Sequence, residues 1–353
     1  MSLHCRKCVH FLFIMVMIAF LLWGCTTADE ELVEPDEEVE EVAGESDIKL
    51  AAILSGPIQD ADFNTLAYIA IQEVHNKLNI DVSYSERVAV PDAGRVMSEY
   101  IDNGYNVIFV HGNQFNQAAL ELGPSNPNVV FIVEVDIVPG EEEMLPNFWY
   151  LDRNYAPGFY VLGAAAALAT ETGNIGYVGG LELPFTKSEL NAMQQAIDDL
   201  ESEASIQYLF TGDFFDTLEG RRVTESLIAI DCDVIISSLS LGNFGLFTAV
   251  QEADHKVLVA TKYTDRLSHI PNSFLTADLF DFSIPLLEVI GKIGDGEKGG
   301  YLLLEYGPEK PRWTQFPLMN VTEEINSQVQ EIAGKVASGE IDVIRKFDEI
   351  DVR

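Results

Sequence analysis

The sequence predicts an α/β protein of two doubly wound, parallel-sheet lobes joined by a hinge. Short Val/Ile-rich runs alternate with amphipathic helical stretches, and the alternation runs once, restarts near residue 153 and runs again at similar length. Apolar runs that are near-continuous, with no polar residue at every second position, mark strands covered by helices on both faces. With 20 Phe and 12 Tyr in 353 residues, there is material for two cores.

In chain order, strands are expected at 48–54, 81–86, 106–110, 129–135 and 147–151, with helices at 64–79, 92–103 and 116–122 between them. The second round begins with an Ala- and Gly-rich helix at 157–170, suited to close packing. Strands at 174–178, 206–210, 234–237, 257–261 and 273–276 follow, with helices at 187–201, 218–230, 244–251 and 284–292. The expected lobes are 48–152 with 263–278, and 153–262 with 279–353.

The stretch before the body reads as a leader and a tether. Arg6 and Lys7 precede an apolar run from Val9 to Trp23 that is short for a membrane span, so 1–24 is a signal peptide. Leu22-Trp23-Gly24-Cys25 resembles the bacterial lipobox, which makes Cys25 the lipidation site; an uncleaved anchor helix is the competing reading. Residues 25–47 form an acidic tether, with eleven Asp and Glu and no Lys or Arg, which cannot bury enough apolar surface to order itself. The C-x-x-C of Cys5 and Cys8 falls in the leader, and Cys232 reads as a small buried hydrophobe.

Charge excludes one class of partner. The chain carries 57 Asp and Glu against 21 Lys and Arg, a formal charge of −36, and would repel nucleic-acid phosphates. Residues 48–353 alone hold 46 acidic residues against 19 Lys and Arg, an acidity suited to high salt, where screening suppresses self-repulsion.

Open α/β sheets bind ligands beyond the carboxyl ends of their strands, so the loops after each strand are the place to look. These hold Asp60, Phe63 and Asn64 after the first strand and His111, Gly112 and Phe115 after the third. In the second half they hold Pro184, Phe214, Asn243, Tyr263 and Asp265. Aromatic rings beside amides and carboxylates suit a flat polar ligand held in a cleft. Each has a plainer reading: Asn64 as a helix N-cap, Phe63 as an apolar contact at the helix start, His111 as a structural histidine, Asp265 as a cap. Residues 60–64 imitate a calcium loop, but Thr65 and Ile71 replace the Gly and Glu it needs, so no metal is expected.

These loops are similar to those of the basic membrane protein family, purine-nucleoside-binding lipoproteins of ABC importers with the type I periplasmic-binding-protein fold. The resemblance is carried by Gly56-Pro57-Ile58-Gln59-Asp60-Ala61-Asp62-Phe63-Asn64, by 84–90 and 104–108, by His111-Gly112, by 172–180 and by Ser338-Gly339-Glu340-Ile341. It implies a purine base or nucleoside caught by hinge closure, delivery to an ABC permease, a lipid anchor in the membrane and an extracytoplasmic location, with no cofactor. It also implies Phe63 as the stacking ring, Asp60 and Asn64 on the base edge, and Phe214 as the second ring. The chain departs from the family where Tyr263 replaces a ribose-binding aspartate and Phe280 or Asp281 a lysine, which favours a free base.

No nucleophile elbow, phosphate loop or His-Glu-x-x-His site occurs, so the chain does not read as an enzyme. A carboxylate-dependent hydrolase and a sensor that docks on a signalling receptor are the alternatives.

Overall fold

A computed structural model of the chain describes residues 47–353. The leader, Cys5, Cys8, the lipobox with Cys25 and the tether expected at 25–47, apart from Asp47, lie outside the described residues. No helix among the described residues is long and apolar enough to cross a membrane.

The first lobe is built on six parallel strands in the order β11-β5-β4-β3-β1-β2. These are β1 (Lys49–Leu54), β2 (Asp81–Ser85), β3 (Val107–His111), β4 (Val130–Val135), β5 (Phe148–Asp152) and β11 (Gly300–Leu303). Helices α1 (Phe63–Leu78), α2 (Ala93–Asp102) and α3 (Asn116–Leu122) connect them in turn. The strands β1, β3, β4 and β5 are almost wholly buried, as their unbroken Val/Ile/Phe runs require.

The second lobe repeats the plan in the order β12-β10-β9-β8-β6-β7. Its strands are β6 (Asn174–Gly179), β7 (Ser205–Phe210), β8 (Val234–Ser238), β9 (Leu258–Tyr263), β10 (Phe274–Phe280) and β12 (Arg312–Thr314), only the last antiparallel. Helices α4 (Ala156–Ala169), α5 (Pro184–Asp199), α6 (Thr217–Ile228), α7 (Asn243–Gln251) and α9 (Glu323–Ala337) cover it, while α8 (Ser283–Gly294) packs on α1 of the first lobe. The small residues of α4 do what their size allows: a Cβ on Gly163 would stand 2.6 Å from the Met193 Cα, so α4 and α5 touch backbone to backbone there.

The two-lobed parallel architecture agrees with the expectation; the assignment of segments to lobes does not. Residues 263–278 were expected in the first lobe, but β10 pairs in parallel with β9, Ala277 beside Thr261 and Leu279 beside Tyr263, which keeps it in the second. Conversely, α8 and β11 lie within the expected second-lobe segment 279–353 yet belong to the first, where Leu302 pairs with Leu151. The chain therefore crosses between lobes three times: after β5, after β10 and after β11.

Candidate functional site

The loop between β1 and α1 enters the second lobe, and one carboxylate organises it. Asp60, fully buried, accepts hydrogen bonds from the backbone amides of Asp62, Asn64 and Thr65 at 2.9–3.0 Å and from Asn64 Nδ2 at 2.7 Å. It thereby satisfies the open amides at the α1 N-terminus, the role expected of Asn64, which instead lies inside the helix and accepts from the Gly56 amide at 3.0 Å. A further donor comes from the other lobe: Ser240 Oγ donates to Asp60 at 3.2 Å. Thr264 Oγ1 also crosses, donating to the Ala61 carbonyl at 2.9 Å.

Beside this loop, Phe63 is half-buried and faces an aromatic wall drawn from both lobes. Its ring stacks on His111 at 3.7 Å between centroids and lies 5.3 Å from Tyr263 and 5.8 Å from Phe282. The wall continues through Tyr263, whose hydroxyl meets that of Tyr155 at 2.8 Å, to Phe185 and then Phe214, stacked at 6.1 Å. Phe280 backs Tyr263 at 5.0 Å. His111 is held by the Glu134 carboxylate at Nδ1 (2.8 Å) and the Phe63 carbonyl at Nε2 (3.0 Å).

Two cations sit against these rings. The Arg153 guanidinium lies 5.1 Å from the Tyr155 ring, 5.6 Å from Phe185 and 5.9 Å from Phe63. Burial pulls its pKa down, but Asp136 and Glu134 more than offset this and hold it well above the usual arginine value. Arg153 Nε donates to Asp136 at 2.9 Å. The Lys262 ammonium lies within 4.9 Å of the Phe185, Tyr155 and Tyr263 rings and donates to Glu189 at 3.0 Å. Burial lowers its pKa against the pull of Glu189, whose other oxygen accepts from Tyr177 at 2.6 Å.

The structure thus brings Phe63, His111 and Tyr263 together and links them to Phe214 through Phe185. Gly112 makes the turn after β3 at φ +117°, a conformation that favours glycine, and Pro184 opens α5 beside Phe185. Three expected residues are placed elsewhere. Phe115 is fully buried with Ile53, Val110 and Val133 on the outer face of the first sheet, because the short turn after β3 points it back into the lobe. Asn243 holds the β8–α7 turn, accepting from Ser237 Oγ at 2.6 Å and donating to the Leu239 carbonyl. Asp265 is exposed and caps its own turn at the Leu267 amide.

Phe185 and Lys262 lie in the loops singled out from the sequence but were not picked as site residues, and Arg153, Tyr155, Glu134, Glu189 and Phe282 were not anticipated. Arg153 and Tyr155 directly follow β5, so the strand-end rule applied to the other loops would have found them. The surface hollow lined by Glu171, Asp233, Lys256 and Asn320 is remote from this cleft and holds no aromatic ring.

A family described as ABC transporter substrate-binding protein, PnrA-like, matches residues 48–302. The chain is 22% identical over 321 residues to the ABC transporter nucleoside-binding protein BmpA of Lactococcus lactis subsp. cremoris, covering 85% of this chain and 90% of that one. It is 25% identical over 333 residues to a putative ABC transporter glucose-binding protein, TsgA13, of Haloferax volcanii, covering 91% and 79%. A solved ABC transporter solute-binding protein of Aeropyrum pernix K1 superposes with a TM-score of 0.73 at 17% identity, covering 86% of this chain and 94% of that one, and shares the fold.

Proposed function

The chain belongs to the Bmp family of PnrA-like ABC transporter substrate-binding proteins, and from that premise we propose that it is a lipid-anchored, extracytoplasmic protein that captures an uncharged purine base or nucleoside between its lobes and passes it to an ABC permease. The observation that carries this reading is the aromatic wall around Phe63, contributed by both lobes. A planar heterocycle that displaced His111 or the cations from these rings would touch both lobes at once, which ties capture to closure. The two cations against the rings already have carboxylates: Arg153 has Glu134 and Asp136, and Lys262 has Glu189. With no spare charge to neutralise an ion, the cleft suits a neutral ligand.

Between base and nucleoside, Tyr263 and Phe280 favour the base. Both rings are buried where sugar-binding groups are expected, and a ribose hydroxyl buried there without a partner costs about 1–3 kcal/mol. The name of the Haloferax relative raises a sugar as the second reading, and the guanidinium and carboxylates beside Phe63 supply the donors and acceptors that pyranose hydroxyls use.

Titration calorimetry with adenine, guanine, hypoxanthine, their ribonucleosides and D-glucose tests the proposal. A purine base is expected to bind tightest. Glucose binding in place of every purine overturns it, and a nucleoside at least tenfold tighter than its base, about 1.4 kcal/mol, overturns the preference for the base. The family consists of substrate-binding proteins, and no substrate turnover is expected.

A further inference from the structure

The segment after α9 lies outside the residues that match the family and spans both lobes. It is fastened along α5 of the second lobe. Asn191 Nδ2 donates to the Glu349 carbonyl at 2.7 Å while its Oδ1 accepts from the Asp351 amide at 2.8 Å. Gln195 donates to the Asp342 carbonyl and accepts from the Ile344 amide, both at 2.9 Å, and Gln194 accepts from the Arg353 amide at 3.0 Å. From that platform a single side chain leaves for the first lobe. Arg345 grips the carboxylate of Asp152, the last residue of β5, through Nη1 at 2.7 Å and Nη2 at 2.8 Å, and Nη2 also donates to the Asp136 carbonyl at 2.6 Å.

Asp152 is fully buried, and Arg345 is its ion-pair partner. Its other contacts are the Tyr301 hydroxyl at 2.7 Å and the Asn154 amide at 3.1 Å, both first-lobe or crossover groups. Arg345 and Phe347 also border a narrow crevice, too tight for water, whose other faces are Asp136, Asn154, Tyr155, Phe185 and Ser188. Tyr155 and Phe185 are the same rings that hold Arg153 and Lys262. The segment therefore closes the cleft on the side of the crossover after β5.

We propose that residues 341–353 form a strap carried by the second lobe, whose Arg345 latches the first lobe through Asp152 and Asp136 and so sets how long the closed cleft holds its ligand. A bidentate guanidinium grip on a buried carboxylate is strong and directional, and when the lobes part it has to break. The latch acts on closure itself, and only its effect on release depends on the cleft being the ligand site.

Hydrogen exchange on the full chain tests it, with Arg345→Ala, Arg345→Lys and Lys346→Ala, the last removing a neighbouring charge that pairs within the strap to Glu349 and Asp351. Arg345→Ala is expected to speed exchange at the cleft-facing amides of 60–66 and 262–266 by roughly five- to tenfold, as loss of a charge-assisted pair to a buried group would. Amides in the centres of β1 and β8 are expected to keep their protection, Arg345→Lys to fall between, and Lys346→Ala to match wild type. Faster exchange confined to the strap, or a uniform rise that includes β1 and β8, overturns the latch. Adenine release, followed by stopped-flow, is expected to accelerate by the same factor. Adenine failing to bind the wild-type chain refutes the ligand class alone, since the exchange result decides the latch without it.

Discussion

The Asp62 carboxylate of the first lobe lies 3.1 Å from the Arg266 guanidinium of the second, and both side chains are buried. The contact is poorly satisfied for a buried pair: neither Asp62 oxygen, nor Arg266 Nε or Nη2, makes a hydrogen bond of good geometry. Burial is the larger effect on Asp62 and, despite the pull of Arg266, pushes its pKa from 3.8 up to about 8.

A group whose acid form is favoured on folding binds its proton more tightly in the folded, closed state. Stability and closure should therefore fall as pH rises from about 4 to about 8, and level off above it. Asp278, raised to about 6 by burial beside Arg312, acts in the same direction over the lower part of that window. Asp62→Asn is expected to flatten the upper part, from about 6 to 8, in melting curves taken as a function of pH. An unchanged slope in that variant would assign the pH dependence to other groups.

The α4–α5 contact makes a second prediction, one about folding alone. At Gly163 a methyl group would meet the Met193 backbone, which has no flexible end to move aside. Gly163→Ala should thus destabilise by about 1–3 kcal/mol, the range for overpacking, although alanine is the better helix former. Denaturant titration gives the number; a stabilised variant would mean that the two helices can separate without cost.

How far the molecule was legible in its sequence follows from the range of the forces involved. The alternation of strands and helices is written locally, in runs such as Val107–His111 and Val130–Val135, and the two-lobed fold follows from it. Lobe membership is not local. Nothing near Phe274 says that β10 pairs with β9 and not with a first-lobe strand, and β11 and β12 are too short, at four and three residues, to show a period. Helix α9 was legible and not read: its buried Asn326, Val329, Ala333 and Val336 fall at helical spacing. In the cleft, the strand-end rule reached Phe63, His111 and Tyr263. It does not distinguish a carboxylate that bonds a ligand from one that builds a loop, which is why Asp60, with its lone pairs given to Asp62, Asn64, Thr65 and Ser240, reads the same either way in the sequence.

Attachment is tested outside the described residues. Cys25 is the proposed lipid acceptor, and the acidic stretch after it has no apolar face to bind a membrane, so Cys25→Ala should release the chain in soluble form. Metabolic labelling with a fatty acid that still marks the variant would place the anchor elsewhere.

Phe63 decides between a binding ring and a packing ring. It is half-buried, opens α1 just before the Asp60-bound Asn64 amide, and stacks on His111 while facing Tyr263. If a purine stacks there, Phe63→Ala should weaken adenine binding by about 1–3 kcal/mol, the range for aromatic stacking on a base. Thermal stability should change less, because the ring is only partly withdrawn from water and the Asp60 hydrogen bonds that start α1 do not involve its side chain. Were Phe63 chiefly packing, the cost would instead approach the 3–5 kcal/mol of a buried Phe→Ala change and would appear in the ligand-free melting temperature. Calorimetry and melting on the one variant separate these outcomes: unchanged affinity with a collapsed melting temperature would move the binding site away from Phe63. His111→Ala sharpens the comparison, since it removes the ring that Phe63 leans on and leaves Phe63 in place. It should therefore lower stability through the lost Glu134 and Phe63 contacts, more than Phe63→Ala does, whichever face of Phe63 the ligand takes.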